Sequence, residues 1–156
     1  LLADEPTASL DATVAAQVLD LLDRLRRERG LTLLLITHDL GAVAKHCDRV
    51  LVLYAGRIVE EAETAALFRS PSHPYTRGLL RSVPRVASAA RERGRRYDAI
   101  PGAVADLSAR GVPGCAFAPR CAERFDPCER SRPELYPTES GRARCFLYGG
   151  VPGSPR

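Results

Sequence analysis

Apolar positions in the first 36 residues fall into three patterns. Residues 1–3 are a short apolar run, and residues 31–36 are a second run of strand length that only Thr32 interrupts. Between these runs, apolar side chains recur at helical spacing, at Val14, Val18, Leu21, Leu22 and Leu25. The two runs predict buried strands, and the spaced positions predict an amphipathic helix that ends at Gly30.

Shorter elements are predicted from there to residue 70. Residues 39–46 and 64–69 are each expected to form a short helix. Residues 50–54 and 57–60 flank an Ala-Gly pair at 55–56, a two-residue turn typical of a hairpin, here at the margin of the sheet. The order strand, helix, strand, helix, hairpin predicts an α/β fold with a parallel sheet.

Side chains that can do chemistry follow both predicted strands. Asp4 and Glu5 come directly after the first strand, and His38 comes two residues after the second. Because the carboxyl ends of parallel strands lie at one edge of a sheet, we expect these side chains to converge on one site. Two adjacent carboxylates can hold a hydrated Mg²⁺ ion and accept a proton from an attacking water. On residue type alone, an acidic pair before proline is more often a solvated turn, and a lone histidine more often a cap or core residue.

The composition changes at about residue 70. Residues 1–70 contain 8 basic and 11 acidic side chains, whereas residues 71–156 contain 15 basic and 8 acidic ones and eleven of the twelve prolines. This predicts a regular first half and a loop-rich second half. The arginine-rich stretch 77–96 has few aromatic neighbours, so we interpret it as a solvated connector and expect no nucleic-acid partner. We expect neither a membrane span nor secretion, because the apolar run 31–36 is short and no basic segment precedes a signal-like core.

Three strings in the first 40 residues carry a family resemblance. Leu-Leu-Ala-Asp-Glu-Pro-Thr at 1–7, Ser-Leu-Asp at 9–11 and Ile-Thr-His-Asp-Leu at 36–40 resemble, in order and spacing, the Walker B strand, D-loop and H-loop of ABC-transporter ATPases. The resemblance implies that residues 1–70 are the C-terminal part of a P-loop ABC ATPase domain. It also implies ATP and Mg²⁺ as the bound cofactors.

The resemblance assigns a role to each matching residue. Asp4 would support the magnesium ion, Glu5 would be the catalytic base for ATP hydrolysis, and His38 would contact the γ-phosphate. Ser9 and Asp11, in the D-loop, would lie at the nucleotide, with Asp11 communicating with the second nucleotide site across a dimer.

The phosphate-binding half of such a domain is not found in this sequence. A GxxxxGK[ST] loop needs glycine before lysine, but Lys45 is the only lysine and follows Ala44. No Leu-Ser-Gly-Gly-type signature is present, and the sequence has no methionine. We therefore expect this chain to be the C-terminal portion of a longer subunit and to be inactive in ATP hydrolysis by itself.

The segment 71–80, which contains His-Pro-Tyr at 73–75, resembles the C-terminal extension of ATP-binding subunits of oligopeptide, dipeptide and nickel importers. Residues 100–102 and 114–121 continue that extension, which we place at 71–150 with a tail at 151–156. The resemblance implies a second ATPase subunit of the same or another kind, membrane-spanning permease subunits and, indirectly, a solute-binding protein. It also implies a peripheral location on the cytoplasmic face of the membrane. His73, between prolines in sequence, is assigned no chemistry.

Four of the five cysteines lie close together in the second half. Cys115, Cys121, Cys128 and Cys145 are separated by five, six and sixteen residues, which suggests a shared ligand. Disulfides are disfavoured without an export signal, and structural zinc sites usually pair cysteines two to four residues apart. Four unligated cysteines remain an alternative, and zinc is less favoured than iron–sulfur. Some peptide-importer ATPases with this extension carry a four-iron, four-sulfur cluster, which the resemblance makes the first choice.

Cys47 stands apart from the other cysteines and is expected to be a small buried hydrophobe rather than a ligand. The alternative function, from another class, is a non-catalytic iron–sulfur or zinc binding module on an α/β scaffold.

Overall fold

The computed structural model describes residues 1–82, 100–102 and 113–149. Contacts divide the chain into two compact units, Leu1–Asp48 and Arg49–Arg156. The predicted tail 151–156 and most of the predicted connector 77–96 lie outside the described residues. The division of the sequence at residue 70 remains a prediction about domain organisation.

The first unit contains two parallel strands and two helices. Strand β1 (Leu2–Asp4) pairs with β2 (Leu34–Ile36), and helices α1 (Ala12–Arg29) and α2 (Leu40–His46) follow the two strands. Helix α1 ends at Gly30, whose φ of 62° lies in the left-handed region that glycine adopts at low cost. The predicted strand–helix–strand–helix order is therefore confirmed for this unit.

Ionic contacts join the two helices of the first unit. His46 on α2 contacts Asp23 on α1 at 2.8 Å, and Lys45 contacts Asp20 at 2.9 Å. The apolar side chains of Leu19, Ala42 and Val43 are buried beside them. Together these contacts fix the helix that follows each strand, and with it the loops at the strand ends.

The second predicted strand is shorter and more exposed than expected. Only Leu34–Ile36 forms the strand, and Leu34 and Ile36 are 50% and 44% exposed. The prediction of a fully buried strand is wrong for these residues, because a sheet of two three-residue strands cannot enclose the side chains on its faces.

The second unit is built on a four-stranded antiparallel sheet. Strands β3 (Arg49–Tyr54), β4 (Arg57–Glu63), β6 (Gly141–Ala143) and β5 (Tyr136–Pro137) lie in the order β3-β4-β6-β5. The hairpin turn at Ala55 and Gly56 has φ values of 47° and 72°, as predicted from the Ala-Gly pair. The hairpin is not at the margin of the parallel sheet, however, because its pairing partner β6 comes from far along the chain.

Short helices connect these strands. They are α3 (Thr64–Arg69), α4 (Pro74–Ser82), a 3₁₀ turn (Ala118–Arg120) and α5 (Pro127–Arg130). The core beside the sheet is aromatic: the ring centroid of Tyr54 lies 4.7 Å from that of Tyr75 and 5.2 Å from that of Phe117. Among the described residues after position 70, most lie outside helices and strands, as the proline content predicted.

Candidate functional site

The ends of β1 and β2 bring the predicted catalytic residues together. In the parallel register Asp4 lies opposite Ile36, and the backbone N–H of Glu5 donates to the Ile36 carbonyl at 2.9 Å. The chain then leaves both strands at the same edge, with Glu5 after one and His38 after the other. The predicted convergence of these residues is thus seen in the structure.

Glu5 and His38 are in direct contact at this edge. Glu5 Oε1 and His38 Nδ1 are 2.9 Å apart, and both side chains are accessible to solvent. The hydrogen bond to the Glu5 carboxylate, followed by its negative charge, raises the pKa of His38 above the usual 6.5. Glu5 has a φ of 45°, a conformation that costs a residue with a side chain on the order of 1–3 kcal/mol and is often found at functional sites.

The other residues predicted to bind nucleotide take different places in this loop. Asp4 is exposed, and its carboxylate makes no ion pair with any described residue, which leaves it available to a cation. Ser9 is exposed and has a φ of 67°. Asp11 is the N-cap of α1, where its Oδ1 accepts from the backbone N–H groups of Thr13 and Val14 at 2.9 and 3.0 Å. Its carboxylate therefore has a structural role beside any role at the nucleotide.

A small pocket in the second unit is lined by all four clustered cysteines. The rings of Phe117, Phe125 and Phe146 form much of the remaining wall, with His73 and Pro74 on one side. Cysteines that are up to 30 positions apart in the sequence, at 115, 121, 128 and 145, are thus brought to one apolar space. The other cysteine, Cys47, belongs to the first unit and ends helix α2, where burial raises the pKa of its thiol.

Backbone amides point at three of the four sulfur atoms. Cys115 accepts from the amides of Phe117 and Ala118, Cys121 from that of Glu123, and Cys145 from that of Leu147. Amide-to-sulfur hydrogen bonds favour a thiolate, which is the form that binds a metal. The donors come from residues two or three positions after each cysteine, so the local turn supplies them.

Without a metal these thiols hold their protons. Burial raises the pKa of Cys115 and Cys121, and it raises the pKa of Cys145 to about 11. The proximity of the other cysteines also contributes to each of these shifts. A cation in the pocket would lower the pKa of these thiols, since a cation stabilises thiolates.

Close backbone packing holds two of the cysteines together. The amide of Cys115 donates to the carbonyl of Cys128 at 2.7 Å, and Cys128 lies on α5. A Cβ atom at Gly114 would meet the carbonyl oxygens of Cys128 and Glu129 at 2.5 Å, so only glycine allows this approach. No sequence signal points to Gly114, because the carbonyls that it faces belong to residues fourteen and fifteen positions later.

The thiols do not meet the geometry of a single-metal site. Within residues 1–82, 100–102 and 113–149, no group of three or more His, Cys, Asp or Glu side chains is arranged to hold a metal ion. All five cysteines are free thiols. The four thiols of the cluster share one pocket without forming a metal site among these residues.

Comparison with known proteins identifies relatives over nearly the whole chain. Residues 59–128 match the sequence model of the oligopeptide/dipeptide transporter C-terminal region. The chain is 50% identical over 95% of its length to a Brucella ovis protein named for peptide import and ATP binding. It is 46% identical over 95% of its length to the oligopeptide transport ATP-binding protein AppD of Bacillus subtilis, and 49% identical over 94% to OppD of Mycobacterium tuberculosis.

The chain spans only part of these relatives. It covers 44% of the Brucella ovis and Bacillus subtilis proteins and 23% of the Mycobacterium tuberculosis protein. The relatives are named for ATP binding, and the alternative of a non-catalytic metal-binding module gains no support from them. None of the helices among the described residues is long and apolar enough to cross a membrane. The resemblance found from the motifs is confirmed: residues 59–128 match the oligopeptide/dipeptide transporter C-terminal region, and nearly the whole chain is similar to proteins named for peptide import or oligopeptide transport and for ATP binding.

Proposed function

We propose that this chain supplies the hydrolytic side of the ATP site in a subunit of a peptide-class ABC importer. The observation that carries the proposal is the 2.9 Å contact between Glu5 and His38 at the shared edge of β1 and β2. Residues at the carboxyl ends of parallel strands are placed where α/β proteins bind ligands. The relatives' names, which specify peptide import and ATP binding, supply the substrate class.

In this proposal each residue at the strand ends has one task. Asp4 holds the magnesium ion of MgATP, for which its exposed carboxylate is available. Glu5 accepts the proton of the attacking water as the general base. His38 uses Nδ1 for Glu5, so Nε2 is the nitrogen left to donate to a phosphate oxygen. Ser9 and Asp11 lie in the loop that would face a second nucleotide site.

The assembly follows from the same proposal. A second ATPase subunit, of the same or another kind, would complete a pair of nucleotide sites. Permease subunits would span the membrane, with this subunit peripheral on its cytoplasmic face, and a solute-binding protein would act on the other side. Binding of ATP would close the pair, and hydrolysis at Glu5 would reopen it.

Substitution of Glu5 in the complete subunit tests the proposed function. Glu5→Gln keeps the shape and one acceptor oxygen but cannot take a proton at neutral pH, so we expect ATP turnover to fall about 10²- to 10⁴-fold with MgATP binding retained. Glu28→Gln, an exposed change on α1, is the matched control. Turnover of Glu5→Gln at the parental rate would show that Glu5 is not the base.

We also propose that Cys115, Cys121, Cys128 and Cys145 hold a four-iron, four-sulfur cluster. Two features support it: the common apolar pocket and the amide donors at three sulfurs. The cluster would stabilise a region with few regular elements, as metal centres do in small domains. Zinc is the less favoured occupant.

A further inference from the structure

The turn that precedes helix α4 is held by a buried carboxylate. Glu60 on β4 is 1% exposed, and its two oxygens accept from the backbone N–H groups of Ser72 and His73 at 2.6 and 2.9 Å. Burying a carboxylate is costly unless such donors are present, so this contact specifies one position for the turn. The His-Pro-Tyr segment is thereby fixed to the sheet.

His73 extends this connection with both nitrogens of its ring. It is 1% exposed; its Nδ1 accepts from the amide of Tyr75 at 3.0 Å, and its other nitrogen donates to the backbone carbonyl of Arg144. Only a neutral imidazole can accept at one nitrogen and donate at the other. Burial, and then the charge of Arg77, lowers the pKa of His73 to about 4, so the ring is neutral at pH 7.

Arg144 is the residue before Cys145, and it is fixed on several sides. Its amide donates to the carbonyl of Val59 at 2.8 Å, which extends the pairing of β4 with β6 by one residue. Its guanidinium donates to the carbonyl of Ile58 at 3.0 Å. Beyond Cys145, the hydroxyl of Tyr148 donates to the Ser72 carbonyl at 2.9 Å. The backbone on both sides of Cys145 is therefore tied to β4 or to the turn at Ser72 and His73.

We propose that Glu60 and His73 are positioning residues that set the place of Cys145 in the cysteine pocket. Neither would bind the metal: the carboxylate oxygens of Glu60 accept from the amides of the turn, and both nitrogens of His73 bond to backbone groups. His73 and Pro74 also line the pocket, so the turn shapes its wall as well as its cysteine. The inference rests on the proposed four-cysteine cluster. In it, the His-Pro-Tyr segment positions one of the four cysteines.

Two substitutions at His73 separate positioning from simple packing. Gln can place an amide N–H where the donating ring nitrogen stands, whereas Leu fills the space without a donor. If the donor to Arg144 matters, the Gln variant should hold iron better than the Leu variant. If only packing matters, the apolar Leu should do at least as well, because burying an unpaired amide is costly.

The experiment uses the complete subunit, prepared without oxygen, and measures iron per chain during challenge with a chelator. Residues that orient metal ligands are typically worth 10- to 100-fold in affinity, so the chelator concentration that removes half the iron should fall at least about 10-fold in His73→Leu. His73→Gln should recover most of that loss. Thr76→Val is the matched control, because Thr76 is also 1% exposed on α4 and its hydroxyl has no hydrogen-bond partner among the described residues.

The outcomes distinguish the positioning role of His73 and Glu60 from the proposed cluster itself. If the parent protein takes up no iron, or if Cys145→Ser keeps its iron, the cluster proposal fails. If Cys145→Ser loses iron but His73→Leu holds it as firmly as the parent does, only the positioning inference is overturned. Should His73→Leu be insoluble, Glu60→Gln, which replaces one accepting oxygen by an amide donor, should lose iron more readily than the parent. Parental chelator resistance in Glu60→Gln would equally overturn the inference.

Discussion

The strand-end site of the first unit and the cysteine pocket of the second unit have opposite environments. Glu5 and His38 lie in solvent, where their mutual contact raises the pKa of the histidine. The cysteines and His73 lie in an apolar interior, where burial raises the pKa of thiols and lowers that of the imidazole. The first environment favours the protonated form of His38, whereas the second favours the uncharged thiols of Cys115, Cys121 and Cys145 and the neutral ring of His73.

The two sites also differ in which parts of the chain hold them in place. The strand-end site depends on one parallel register and two loops that directly follow strands. The cysteine pocket depends on a β4–β6 pairing between residues about eighty positions apart and on the turn at Ser72 and His73. Damage to tertiary packing should therefore affect the pocket first.

The largest effect expected is on metal content. Complete subunit prepared without oxygen should contain about four iron and four sulfide per chain, because four thiolates can complete such a site. Serine at Cys115, Cys121, Cys128 or Cys145 should remove most of the iron, and serine at Cys47, which does not line the pocket, should not. Stoichiometric zinc without iron would assign the site to zinc, and absence of both metals would leave four unligated thiols.

The pKa values of His38 and His73 should be shifted in opposite directions from 6.5. By NMR, His38 should titrate above 6.5 and return toward 6.5 in Glu5→Gln, whereas His73 should stay neutral down to about 4. For His38, the contribution to stability is complete below pH 6.5 and is lost as the pH rises through its raised pKa. For His73, the contribution is complete above pH 6.5 and is lost as the pH falls toward 4, by on the order of 3 kcal/mol.

Urea unfolding at several pH values checks the His73 part of this prediction. The second unit should lose stability between pH 6.5 and 4, and the slope should flatten in His73→Gln, which cannot titrate. An equal slope in the variant would mean that another group titrates there.

A smaller effect is expected at the helix N-caps of the two regions. Asp11→Ala should destabilise the first unit by about 1 kcal/mol, since it removes two hydrogen bonds to α1. Asp126, at the start of α5, makes no side-chain cap bond. Asp126→Ala should therefore lower stability by only about 0.3–0.5 kcal/mol, the contribution of an exposed ion pair such as that with Arg130. Equal losses in thermal unfolding would contradict this difference.

Asp11→Asn separates the cap from a role at the nucleotide. Asparagine caps helices as well as aspartate does, so stability should be retained. A fall in ATP turnover without a fall in stability would assign the Asp11 charge to the proposed D-loop function. Parental turnover would leave Asp11 as a helix cap alone.

The sequence predicted the first site better than the second for a physical reason. The convergence of Glu5 and His38 follows from hydrophobic runs and the geometry of parallel strands, both of which are local. The pairing of β4 with β6 could not be predicted, because β6 is a three-residue strand with no alternating pattern. The hairpin was therefore placed in the wrong sheet, and Glu60 looked like an ordinary charged residue of a strand. The spacing of the four cysteines predicted a shared ligand, but the pocket that they line depends on tertiary contacts.

If Glu5 and His38 act as one catalytic unit, as their 2.9 Å contact leads us to propose, a double-mutant cycle on ATP turnover will show it. In the complete subunit, turnover would be measured for Glu5→Gln, His38→Ala and the two together. Residues that act as a unit are not additive, so the double variant should be about as slow as the slower single variant. If the two losses instead multiply, the residues act independently, and the contact between them is not the basis of hydrolysis.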